Sequence, residues 1–151
     1  MAGVTLAVPA EFAEDFRAAL VREIAFDVGQ IEDDEKARAE RLAGSVFAEK
    51  FNEEDVRYHR AQLDADMALA AQAGIADTGA IELTETGAPG QLAHICEAMA
   101  QQVVQPQIAR ALEIAPLDDA TALRPMIASL TWAVENAESL FGELARRAEA
   151  A

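Results

Sequence analysis

One cysteine, two histidines and one tryptophan are all that this chain of 151 residues holds of the side chains most often used for covalent links, metals or anchoring contacts. The lone Cys96 excludes an internal disulfide. Aromatics make up only 5% of the residues, so the core must rest on Leu, Ile, Val, Met and Ala. No uninterrupted apolar run approaches the roughly 20 residues that span a bilayer. The opening residues, Met-Ala-Gly-Val-Thr-Leu-Ala-Val-Pro, lack the basic stretch of a secretory signal, which makes the cytoplasm the expected address. Basic residues are scarce as well: 12 Lys and Arg stand against 27 Asp and Glu, for a net charge of −15. That field repels phosphates, and no Lys/Arg stripe opposes it locally, so neither a nucleic acid nor an anionic membrane surface is an expected partner. A basic protein or a cation remains compatible, although solubility alone accounts for such a charge. Arginine outnumbers lysine ten to two, a bias that fits a GC-rich bacterial genome.

The remaining composition is that of a helical protein. Apolar residues reach 52%, too many for a disordered chain, and much of that share is alanine, the strongest helix former. A chain of this length can bury roughly 68–70% of its unfolded surface in one domain. The expected fold is a mainly α bundle of four to five helices with two short β-strands, spanning 1–151 as a single domain.

Residues 4–8 alternate large apolar side chains at Val4, Leu6 and Val8, and residues 80–84 read as a second short strand. After Pro9, a spacing of three or four through Phe12, Phe16, Leu20, Ile24, Val28 and Ile31 predicts a first helix, loosened near Gly29. Asp33 and Asp34 are expected to start a new helix that runs to Gly74, either unbroken or interrupted near Phe51–Asn52. The turn at 86–90 leads into a helix striped by Leu92, Ile95, Cys96, Met99 and Val103, which Pro106 should kink or end. Ala115-Pro116 reads as a turn, with Asp118 and Asp119 capping the last helix. That helix carries the most regular pattern of all. Leu123, Ile127, Leu130, Val134, Ala137, Phe141, Leu144 and Ala148 recur at steps of four and three, a seam suited to lengthwise helix packing. The order strand, helix, helix occurs twice, and a pseudo-twofold pair of half-repeats, 4–74 and 80–149, would account for it.

Few residues stand out chemically. Glu23 and Asp27 interrupt the apolar stripe of the first helix. His59 lies near Asp55, and His94 near Glu97. Inward carboxylates and histidines can hold a metal in a helical bundle, which makes Glu23, Asp27, His59 and His94 the one metal set to consider. The chain has no Glu-x-x-His, however, and the simpler reading is satisfied histidines with Glu23 and Asp27 at the edge of a drifting stripe. The Gly87-x-x-Gly90 turn lacks the lysine and the glycine spacing of a phosphate loop. Cys96 falls on a buried stripe, as an inert thiol would. No cofactor is expected. Trp132 lies off the seam beside Ala128, and Phe26 lies off the stripe of the first helix. These three are the interface candidates, with Trp132 either sandwiched inside the monomer or meeting another chain. The reading that fits best is a non-enzymatic structural or interaction protein that self-associates as a homodimer. An acidic adaptor or regulator for a basic protein, and a metal-dependent bundle enzyme, are the alternatives.

Overall fold

A computed structural model describes residues 3–44, 53–74, 79–87, 89–114 and 120–150. Strand β1 (Thr5–Val8) is followed by a 3-10 turn (Ala10–Phe12) and helix α1 (Ala13–Leu42). Helix α2 (Glu53–Ala73) leads to strand β2 (Ile81–Thr84) and helix α3 (Gln91–Ala98). A π-helical segment (Met99–Val104), helix α4 (Gln105–Ile114), a second 3-10 turn (Ala120–Leu123) and helix α5 (Arg124–Ala150) complete the order. The chain is thus a mainly α bundle with one two-stranded ribbon. Among the described residues no helix is long and apolar enough to cross a membrane.

The two strands pair antiparallel, with Leu6 opposite Leu83 and Val8 opposite Ile81. All four of these side chains are buried, so the ribbon lays its apolar face on the helices. Such a ribbon is marginal alone and needs that backing. Helix α2 also grips its edge. The Gln72 amide donates to the Thr84 carbonyl at 2.9 Å and accepts from the Thr84 N–H at 2.8 Å. Arg17 of α1 fastens the other side of α2, donating to the carbonyls of Ala73 and Gly74 at the helix C-terminus. The core lies where these elements meet, around the fully buried Phe16, Leu69, Leu83, Leu92, Ile95 and Met99.

Three local expectations need correction. Helix α1 does not loosen at Gly29, and no helix begins at Asp33 or Asp34. An N-cap needs non-helical backbone, and nothing upstream breaks the ladder there. Asp34 instead spends its carboxylate on His59 of α2. The interruption within 34–73 falls between Leu42 and Glu53, after Gly44 in the left-handed region at φ 76°. Phe51 and Asn52 themselves, the Ala115-Pro116 turn and the Asp118–Asp119 cap lie outside the described residues. Pro106 does not end its helix either. The helical path runs from Gln91 to Ile114, and a π segment ends at Val104, two residues before the proline, whose missing N–H removes one constraint on α-helical register. Gly74 does close α2, in the left-handed conformation expected of a C-terminal glycine.

The outer half of the α1–α2 pair leaves the core altogether. None of the described residues in 28–44 or 53–64 is buried. This arm is held by half-buried Ile31, Val56 and Leu63 and by the His59–Asp34 contact at 2.7 Å. A Cβ added at Gly29 meets nothing within 4 Å. Gly29→Ala should therefore stabilise the protein by about 0.5–1 kcal/mol through the entropy of the unfolded chain, measured as a higher urea midpoint at unchanged slope.

Candidate functional site

The steps 16, 20, 23 and 27 on α1 follow one helical line, so Glu23 and Asp27 sit directly beyond Phe16 and Leu20. The structure buries all four. The two acids lie on the buried face and not at the edge of a drifting stripe: each is only 5% exposed. Asp66 reaches the same layer from α2, one turn before Leu69, and is fully buried. Gln91 and His94, three apart on α3, complete the cluster. The Gln91 amide donates to Asp66 Oδ1, and His94 Nε2 lies 2.9 Å from Glu23 Oε2.

The cluster therefore joins three helices through polar side chains in the last buried layer before the arm. Glu23 and His94 neutralise one another when the imidazole is protonated. His94 itself is half-exposed and connects the group to solvent. Its hydrogen bond to Glu23 holds its pKa above the ordinary histidine value, against the opposing effect of burial, with smaller support from the charges of Glu23, Glu97 and Asp66. Burial pushes the Asp66 carboxyl up to about 8, and the neighbouring Asp27 adds to the rise, while the Gln91 hydrogen bond pulls against it. Asp27 Oδ2 and Asp66 Oδ2 are buried without a hydrogen-bond partner among the atoms present.

Of the four residues considered as a metal set, the structure brings Glu23, Asp27 and His94 to this cluster and takes His59 away. His59 pairs with Asp34 in the arm and not with Asp55, because the neighbouring helix offers a better-placed carboxylate than its own preceding turn. His94 likewise bonds Glu23 across the α1–α3 contact, where Glu97 was the nearer residue in sequence. Among the described residues no three or more His, Cys, Asp or Glu side chains are placed to hold a metal ion. Asp66 and Gln91 carry no signal that sequence reasoning used. The usable one was Asp66 itself, an acid in register with Leu69 and Ala73 on the inner face of α2. Cys96 is fully buried, and desolvation pushes its thiol up to about 12. It packs as an inert apolar group.

A second feature is apolar. Helix α5 buries Ser129, Ala133, Ala137 and Leu140, a face rotated by about 80° from the centre of the regular seam. Trp132 is the cause. It is drawn inward, its ring stacked on Phe12 at 5.4 Å and edge-on to Phe16 at 6.4 Å. Trp132 is therefore partly buried, packed against the core through these two rings. Turning α5 to bury it carries the outer part of the seam into solvent: Ile127, Val134 and Phe141 are 50%, 39% and 43% exposed. Ala128 is exposed too, and Phe26 of α1 is 60% exposed on a separate face.

No protein-family profile matches the chain, and neither the curated proteins nor the solved structures contain a significant match. The site has to be read from its own geometry.

The Glu23 contact gives His94 a definite titration behaviour. Its raised pKa contributes stability that is fully present below the unfolded histidine value and disappears as pH rises through the folded one. In a ¹⁵N-edited NMR titration, the His94 imidazole should lose its proton above about pH 6.5, and Glu23→Gln should bring that midpoint down.

Proposed function

We propose that this chain is a non-enzymatic interaction protein that works as a homodimer, with α5 packed against α5 of a second copy. The observation that supports this reading is the outward stripe Ile127–Val134–Phe141. These three side chains stand seven residues apart, along about 21 Å of helix. A step of seven is that of a two-helix seam, and monomer packing leaves this edge of the seam unused.

The stripe is also symmetric about its centre. In an antiparallel pair with the twofold axis at Val134, Ile127 meets the partner's Phe141, Phe141 meets the partner's Ile127, and Val134 meets its own copy. Such an isologous contact closes on itself and does not propagate. The three stripe residues carry no charge, and salt screens the repulsion between two copies of net charge −15 beyond about 8–10 Å. Helix α4, which touches α5, buries none of its residues and likewise exposes Leu112 and Ile114. Acidic binding of a basic protein rests on net charge alone and offers no comparable geometry. Enzymatic use of the carboxylate cluster has less support, because Glu23, Asp27 and Asp66 are all buried. A cytoplasmic address belongs to this reading, consistent with a single, buried, unpaired cysteine.

Light scattering at tens of micromolar should return the mass of a dimer. Val134→Glu, which puts two carboxylates on the axis, should raise the dimer dissociation constant by about 100-fold or more, a cost of roughly 3 kcal/mol. Its far-UV circular dichroism should not change, since Val134 is already 39% exposed in the monomer. A monomeric wild type, or a variant that dimerises undiminished, overturns the proposal.

A further inference from the structure

Three acids in one buried layer need an explanation that self-association does not supply. Glu23 has His94 at 2.9 Å. Asp66 Oδ1 has the Gln91 amide. What remains is one oxygen on Asp27 and one on Asp66, both buried, both without a partner, on side chains within hydrogen-bond reach of each other. The groups that face the pair are Glu23 from α1 and Gln91 and His94 from α3, with Glu97 of α3 acting on it only through His94. None of them donates to the two orphaned oxygens: the Nε2 of His94 is taken by Glu23, and the imidazole acts on Asp66 only through its charge. Two ionised carboxylates in contact without water or a cation repel strongly, whereas one proton between them removes the repulsion and provides the missing donor.

We infer that Asp27 and Asp66 form a proton-sharing acid pair, a proton-binding site that clamps α1 and α2 together against α3 at the base of the arm and loosens when the proton leaves. The proton resides on Asp66 Oδ2 and is donated to Asp27 Oδ2. One hydrogen bond thereby satisfies both orphaned oxygens, and Gln91 holds the Asp66 carbonyl oxygen in place. The position gives the pair its leverage. Asp27 and Ala65–Asp66 are the outermost buried residues of α1 and α2, and beyond them the arm has no buried side chain among the described residues. Losing the proton leaves two like charges in the layer that separates core from arm.

The direction of the pH effect follows from proton counting. The unfolded chain releases the Asp66 proton near the ordinary aspartate value of 3.8, while the folded chain keeps it to about 8. Between these limits the folded state binds more protons, so the contribution of this group to stability falls as pH rises and is unpenalised only below the lower limit.

Carbon-detected NMR of the aspartate carboxyls tests the pair directly: Asp66 should titrate above pH 6. Asp66→Asn keeps the shape, gives Asp27 a permanent N–H donor and accepts from Gln91. Its unfolding equilibrium should therefore diverge from that of the wild type by up to about tenfold per pH unit between pH 5 and 8, with the wild type losing ground. Asp27→Asn should flatten the same slope. An Asp66 signal that titrates below pH 5, or parallel pH profiles for wild type and Asp66→Asn, overturns the inference. So does selective rescue of the wild type at pH 8 by millimolar Mg²⁺ or Ca²⁺, which would identify a cation site instead. The carboxyl titration reads the pair whatever the oligomeric state, and the unfolding profiles are compared at one protein concentration.

Discussion

Everything in this molecule is arranged around the inner line of α1. Phe16, Leu20, Glu23 and Asp27 pass in sequence from an aromatic contact to an aliphatic one and then to two acids. The first pair anchors the core, where Phe16 meets Trp132 of α5. The second pair sets where the core stops, because a carboxylate can enter a dry layer only with a specific partner. His94 and Asp66 are those partners, and they fix how α3 and α2 lie on α1. A purely apolar line would allow the helices to slide along each other. Acids that each require one partner remove that freedom.

The last helix shows how two demands on one surface are resolved. Its regular seam centres on one azimuth and its tryptophan lies on another. Burying Trp132 against Phe12 and Phe16 removes more apolar area than burying a valine would, so the ring wins the interior and the seam turns partly outward. The small residues Ser129, Ala133 and Ala137 on the buried face allow α5 the close approach that this orientation needs. Ser129 also reaches Asp15 of α1 at 2.8 Å, a polar tie across the same contact.

Several elements were legible before any coordinates. Both strands were, because two-residue alternation over Val4–Val8 and Ile81–Leu83 has no helical reading. The Gly74 terminus of α2 was legible from the conformational freedom of glycine. The entry of α5 was not legible: the sequence places its cap at Asp118–Asp119, whereas the α-helix begins at Arg124 after a 3-10 turn. Nor was the length of α1. Gly29 and Asp33–Asp34 are weak local breakers, and a helix already nucleated and packed against a neighbour passes through residues that cost it about 1 kcal/mol or less each. The carboxylate cluster was half legible: Glu23, Asp27 and His94 drew attention by position, while Asp66 and Gln91 come from parts of the chain with no sequence relation to them.

By itself, then, the order of residues determined the local states: which stretches are helix or strand, where most of them stop, and which side of each is apolar, since these depend on backbone sterics and on periods of two and 3.6 residues. Tertiary packing alone decided which polar groups became partners and which apolar edge stayed wet. His59 found Asp34 and His94 found Glu23, each across a helix contact and past a nearer acid in its own helix. Distances between side chains 25 or 71 positions apart are set by how helices rotate against one another, and that rotation is a compromise among all the buried faces at once.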